Sequence, residues 1–168
     1  MTRPSPTLRD LVQRVRGPLL QIRDEDPVEQ RGAPFSECMR GVYQLGLALA
    51  RDPALRASPE IAELIDDGAA LLPRAAGAFH IYVSEVESEF YAPWDGHEWT
   101  TVAAGRSAIE FLRELWRGTP ILDMLDAFAE TDTIDQLFAD KAASGFSPVD
   151  PAPEGMPASH WWWWGSRD

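Results

Sequence analysis

Three histidines, one cysteine and a set of carboxylates are the side chains here that could do chemistry, and their spacing decides whether they do. A metal site needs several ligands converging at set intervals. His80, His97 and His160 form neither a His-x-x-x-His nor a Glu-x-x-His pair. His80 meets Glu85 or Glu87 only loosely on a helix, so the expectation is no metal and no cofactor. Asp95-Gly96-His97-Glu98 is the densest polar cluster and lies between Trp94 and Trp99. Its composition reads as an Asp-Gly turn whose flanking tryptophans pack on the end of the fold. Cys38 has Arg40 nearby but no histidine base, so it reads as a buried structural thiol. Asp123, Asp126 and Glu130 recur at helical spacing, the pattern of a solvated face. A glycine-rich phosphate loop, a Gly-x-Ser-x-Gly elbow and a dinucleotide fingerprint are all missing. The expectation is a protein that is not an enzyme.

The charge balance narrows the partners. Net charge is −12 over 168 residues, and the basic residues are scattered singly among acids. Binding a phosphate backbone requires clustered Lys and Arg that displace counterions, so nucleic acid is excluded. An anionic membrane surface is disfavoured on the same ground. No stretch is long and uncharged enough to span a bilayer, and the first residues lack the apolar core of a signal peptide. These features predict a cytoplasmic protein whose partner is another protein.

The elements that must position these residues are helical. Leu8, Leu11, Val12, Val15, Leu19 and Ile22 follow helical spacing, with Thr7 and Asp10 as a capping pair and Gly17-Pro18 as a break. A charged loop is expected over 23–34. A second helix is expected over 36–51, with Gly41, Gly46, Ala48 and Ala50 permitting close approach by a neighbour. Ser58-Pro59-Glu60 starts a third helix. The segment 74–91 fits a helix over its whole length, although Phe79, Ile81 and Val83 alternate like a strand. Further helices are expected over 101–117, after Pro120 and after Asp132, ended by Gly118 and Gly145. The reading is an all-α fold: one helical bundle of six or seven helices over 1–145, with an extended Pro-rich, Trp-rich tail over 146–168.

That tail carries the least ordinary feature. Pro148, Pro151, Pro153 and Pro157 favour extended, polyproline-like backbone able to span about 40 Å. Trp161, Trp162, Trp163 and Trp164 follow directly. Each indole can bury about 150–250 Å², so together they offer roughly 600–1,000 Å². That exceeds the apolar patch of about 300–600 Å² found on a soluble monomer. In an extended chain, Trp161 and Trp163 would face one way and Trp162 and Trp164 the other. Three destinations follow: the protein's own bundle, a groove on a partner, or a membrane interface.

The tail Pro157-Ala-Ser-His-Trp-Trp-Trp-Trp, on a short helical chain, resembles the small proteins associated with caspase-like and TPR-repeat genes (CATRA) in actinobacterial conflict systems. The resemblance implies a non-enzymatic accessory or adaptor, with a caspase-like or TPR-containing protein encoded nearby as partner. Pro157, His160 and Trp161 to Trp164 are then the partner-binding residues, with the tryptophans as anchors. Two alternatives remain. One is an acidic immunity or inhibitor protein that neutralises a basic toxin through Asp66, Asp67, Glu85, Glu87 and Glu89. The other is a metal-dependent helical enzyme centred on His80, His97 and Glu98.

Overall fold

Seven α-helices, with no strand among the described residues, make up the computed structural model, which describes residues 6–94, 97–128 and 130–165. They are α1 (Leu8–Leu20), α2 (Val28–Arg51), α3 (Pro59–Leu71), α4 (Ala76–Ser88), α5 (His97–Leu115), α6 (Ile121–Phe128) and α7 (Asp132–Ala143). The Asp95-Gly96 turn expected from the sequence lies outside the described residues.

Local chemistry explains most of the boundaries. Thr7 caps α1 in a complete capping box: its hydroxyl accepts from the Asp10 amide, and the Asp10 carboxylate accepts from the Thr7 amide. Ser58 sits at the start of α3 with Pro59 at the first helical position, but its hydroxyl makes no capping bond. Gly118 and Gly145 have φ of +78° and +90°, backbone that side chains with a Cβ rarely adopt.

Two prolines overturn the expected breaks. Pro18 is inside α1, in its last turn, so the helix runs to Leu20. Pro34 is inside α2, which begins at Val28 rather than Ser36 and absorbs part of the expected charged loop. A mid-helix proline forfeits one backbone hydrogen bond. Here Arg31 offsets that loss by donating to the carbonyls of Asp24, Asp26 and Arg74, tying the start of α2 to its surroundings. Phe35 is fully buried one residue later.

Helix α5 runs through the middle of the fold and is buried on most of its circumference, from Trp99 to Leu115. It packs on α2, which also contacts α1 and α4. Two glycines set these approaches. A Cβ at Gly41 would fall 2.5 Å from the Arg14 carbonyl oxygen on α1, and one at Gly46 would collide with the Phe111 ring on α5. The core that results includes Met156, Trp162 and Trp163 from the tail. Bundle and tail thus share one hydrophobic interior, although the sequence reading placed a boundary at 145.

Candidate functional site

On α5, Ala103, Ser107 and Phe111 recur every four residues and form one stripe. The tail returns along this stripe and is held at intervals. Lys141 lies over the rings of Trp94 and Phe146, at 4.8 and 5.4 Å. Thr100 donates to the Asp150 carboxylate at 2.7 Å, and Arg51 donates to the Glu154 carbonyl at 2.8 Å. The proline-rich stretch is therefore folded back. Turns close it from Pro153 to Met156 and from Pro157 to His160.

The four tryptophans do not adopt the strand-like alternation expected of extended chain. Trp161–Trp163 form a 3-10 turn, in which the Trp163 amide donates to His160 and the Trp164 amide donates to Trp161. With three residues per turn, side chains at i and i+3 eclipse. Trp161 and Trp164 therefore share the outer side, while Trp162 and Trp163 share the inner one. Exposure follows: Trp162 is 2% and Trp163 3% exposed, against 50% for Trp164. Trp161 is half-buried with its ring edge-on to Phe138. Pro157 is half-buried and supplies the carbonyl that accepts from the His160 amide.

Below the turn, Ser107 is a hub. Its Oγ lies 3.0 Å from Trp162 Nε1, 2.9 Å from Trp163 Nε1 and 3.0 Å from His160 Nδ1. An indole nitrogen only donates, and a hydroxyl oxygen has two lone pairs. The two tryptophans fill both. The one Ser107 proton then points to His160 Nδ1, and this assigns the neutral imidazole proton to Nε2. Met156 Sδ lies beyond at 3.9 Å. His160 is itself fully buried, stacked on Trp162 at 4.9 Å and against Phe111 at 4.6 Å. Burial lowers its pKa from the ordinary imidazole value to about 4; Glu110 opposes this shift and Arg106 adds to it. Its Nε2 is buried with no hydrogen-bond partner.

Arg106 supports the turn from the side. Its guanidinium sits 4.3 Å above the Trp162 ring and is 4% exposed. It donates to Asp135 at 2.8 and 3.4 Å and to Glu110 at 3.1 Å. Such a planar cation can stack and pair at once. Trp99 closes the arrangement from the start of α5 by donating to the Trp162 carbonyl at 2.7 Å.

A serine hydrogen-bonded to a histidine is the geometry of an activated nucleophile. Here Ser107 is fully buried, and both of its acceptor positions are taken by indole N–H groups. The arrangement holds chain together; a substrate would reach Ser107 only after the tail had left. His80 on α4 and His97 at the start of α5 are exposed, whereas His160 is fully buried. No group of three or more metal-ligating side chains forms among the described residues. Cys38 is buried, and desolvation pushes its thiol pKa up. Among the described residues, no helix is long and apolar enough to cross a membrane.

Sequence reasoning missed Ser107, Arg106 and Asp135. The available signal was register: Ser107 lies four residues from both Ala103 and Phe111, on the buried side of α5. The chain matches no family model, no curated protein and no solved structure.

Proposed function

We propose that this chain is a non-enzymatic accessory or adaptor protein of a bacterial multi-gene conflict system, engaging a protein partner with the outer side of its tryptophan turn. The observation that carries this reading is the division of the turn. Trp162 and Trp163 anchor it, while Trp164 stays 50% exposed on backbone that is already ordered. A half-exposed indole forgoes burial free energy at ~25 cal/mol per Å², which a partner's apolar pocket would recover. Because the turn is already built, little ordering entropy opposes docking. Tryptophan is also the residue most enriched among binding hot spots.

The surroundings suit a partner with basic groups around that pocket. Glu110, Glu114, Asp132 and Asp135 line the cleft beside Trp161, with Arg106 and Arg117, in a chain of net charge −12. Arg106 already pairs with Asp135 and Glu110. Of the residues assigned to binding from sequence, Trp161 and Trp164 remain as contact groups, and Pro157, His160, Trp162 and Trp163 hold them in place. The candidate partner is a caspase-like or TPR-containing protein encoded nearby.

The test is co-purification of that neighbour with Trp161→Ala and Trp164→Ala variants. A loss of capture of tenfold or more, with thermal midpoints held, supports the reading, and undiminished capture overturns it. The acidic cleft also favours a second reading, an inhibitor of a basic toxin. Under it, binding weakens steeply with salt and is indifferent to Trp164.

A further inference from the structure

We infer that the segment from Met156 to Trp164 is an acid-released latch, in which adding a proton to His160 detaches the tryptophan turn from α5 and exposes Trp162 and Trp163. The argument is a count of donors. In the neutral state Ser107 Oγ accepts two indole N–H groups and donates to His160 Nδ1, so every position on the hydroxyl is used. An imidazolium donates from both nitrogens. Its Nδ1–H would be a third donor aimed at an oxygen whose two lone pairs are occupied. The Ser107 proton would lose its acceptor and face only the Met156 sulfur at 3.9 Å. Nε2 is already buried without a partner, so the new charge finds no acceptor there either. The latched state therefore rejects the proton on geometric grounds, and the released state accepts it in water.

The charged groups around the ring do not reverse this. From α5, Arg106 opposes a second cation, and Glu110 favours one. Glu110, however, is already paired with Arg106 at 3.1 Å and Arg113 at 3.7 Å. Glu114, one turn further, is engaged with Arg56 at 3.6 Å. From α7, Asp135 is taken by Arg106 at 2.8 Å. From α2, Arg51 is bonded to the Glu154 carbonyl. Between Met156 and Trp164 the tail contributes no other titratable side chain.

The sign follows from linkage. The latched histidine titrates near 4 and the released one near 6.5. The latch is at full strength above pH 6.5 and loses strength as pH falls toward 4, with the opening constant rising up to about tenfold per pH unit.

Hydrogen exchange of the Met156–Trp164 amides in the whole 168-residue chain, followed from pH 7 to 4.5, tests the inference against His160→Asn. Asparagine keeps an acceptor oxygen near the Nδ1 position and does not titrate. The expected result is a steep rise in opening for the native protein and a shallow one for the variant. Equal slopes overturn the inference. Nitrogen NMR of the native imidazole at pH 7 is a second readout, independent of whether the variant folds. The Nε2-protonated tautomer with titration well below 6.5 supports the latch, and an Nδ1-protonated ring or titration near 6.5 overturns it.

Discussion

The indole N–H of Trp99 donates to the backbone carbonyl of Trp162 at 2.7 Å, across 63 residues of sequence. One partner stands in the first turn of α5, and the other is in the 3-10 turn near the end of the described chain. Together with Thr100 on Asp150 and the Ser107 hub, this bond brings the tail under the same packing constraints as the helices.

Trp99→Phe removes that bond and trims the ring of a fully buried side chain. Phenylalanine retains aromatic contact with Phe138 but donates nothing, which leaves the buried Trp162 carbonyl unsatisfied. The expected loss in urea unfolding is at least about 1–3 kcal/mol, the usual penalty for a buried group deprived of its partner, and the cavity left by the smaller ring adds to it.

Ser107→Ala removes one oxygen and strands two indole N–H donors and one imidazole acceptor. Alanine fits the space, so the effect is polar rather than steric. The expected destabilisation is roughly 2–6 kcal/mol, from two stranded indole donors at about 1–3 kcal/mol each. Equilibrium unfolding measures it, and protection of the tail amides should fall with it.

Arg106→Ala takes the paired guanidinium from Asp135 and the stacked plane from Trp162. A partner removed from a buried ion pair costs about 3–5 kcal/mol. Arg106→Lys should recover only part of this, because an ammonium neither forks onto Asp135 nor stacks on the ring. Paired chemical denaturation of the two variants checks the order.

Cys38 should be silent toward thiol reagents in the native protein. It is fully buried in α2, and burial raises its pKa, so little thiolate forms and none is reachable. Ellman-type labelling is expected only at the rate of unfolding, and it should become fast once denaturant is added.

The helices were legible because their signals are local. Thr7 and Asp10 form a capping pair through three residues of spacing, and the apolar stripe from Leu11 to Leu19 needs only the helical period. Pro34 misled for the opposite reason. Its local penalty is real, but the support that outweighs it comes from Arg31 reaching Arg74, 43 residues away. The Ser107 hub was hidden similarly. A serine within Gly105-Arg106-Ser107-Ala108 looks polar and unremarked, and only the returning tail makes it the meeting point of three side chains. The tryptophan run showed that it needed cover. Which two indoles receive cover depends on a 3-10 turn that composition does not specify.

The division of that run is tested most directly by equilibrium unfolding of three single variants, Trp162→Ala, Trp163→Ala and Trp164→Ala. The two inner indoles are buried and bonded to Ser107, so each of the first two variants should lose about 3–5 kcal/mol. Trp164→Ala, at a half-exposed position, should lose no more than about 1 kcal/mol. Small and equal effects at all three positions would contradict the account, because the tail would then not belong to the core.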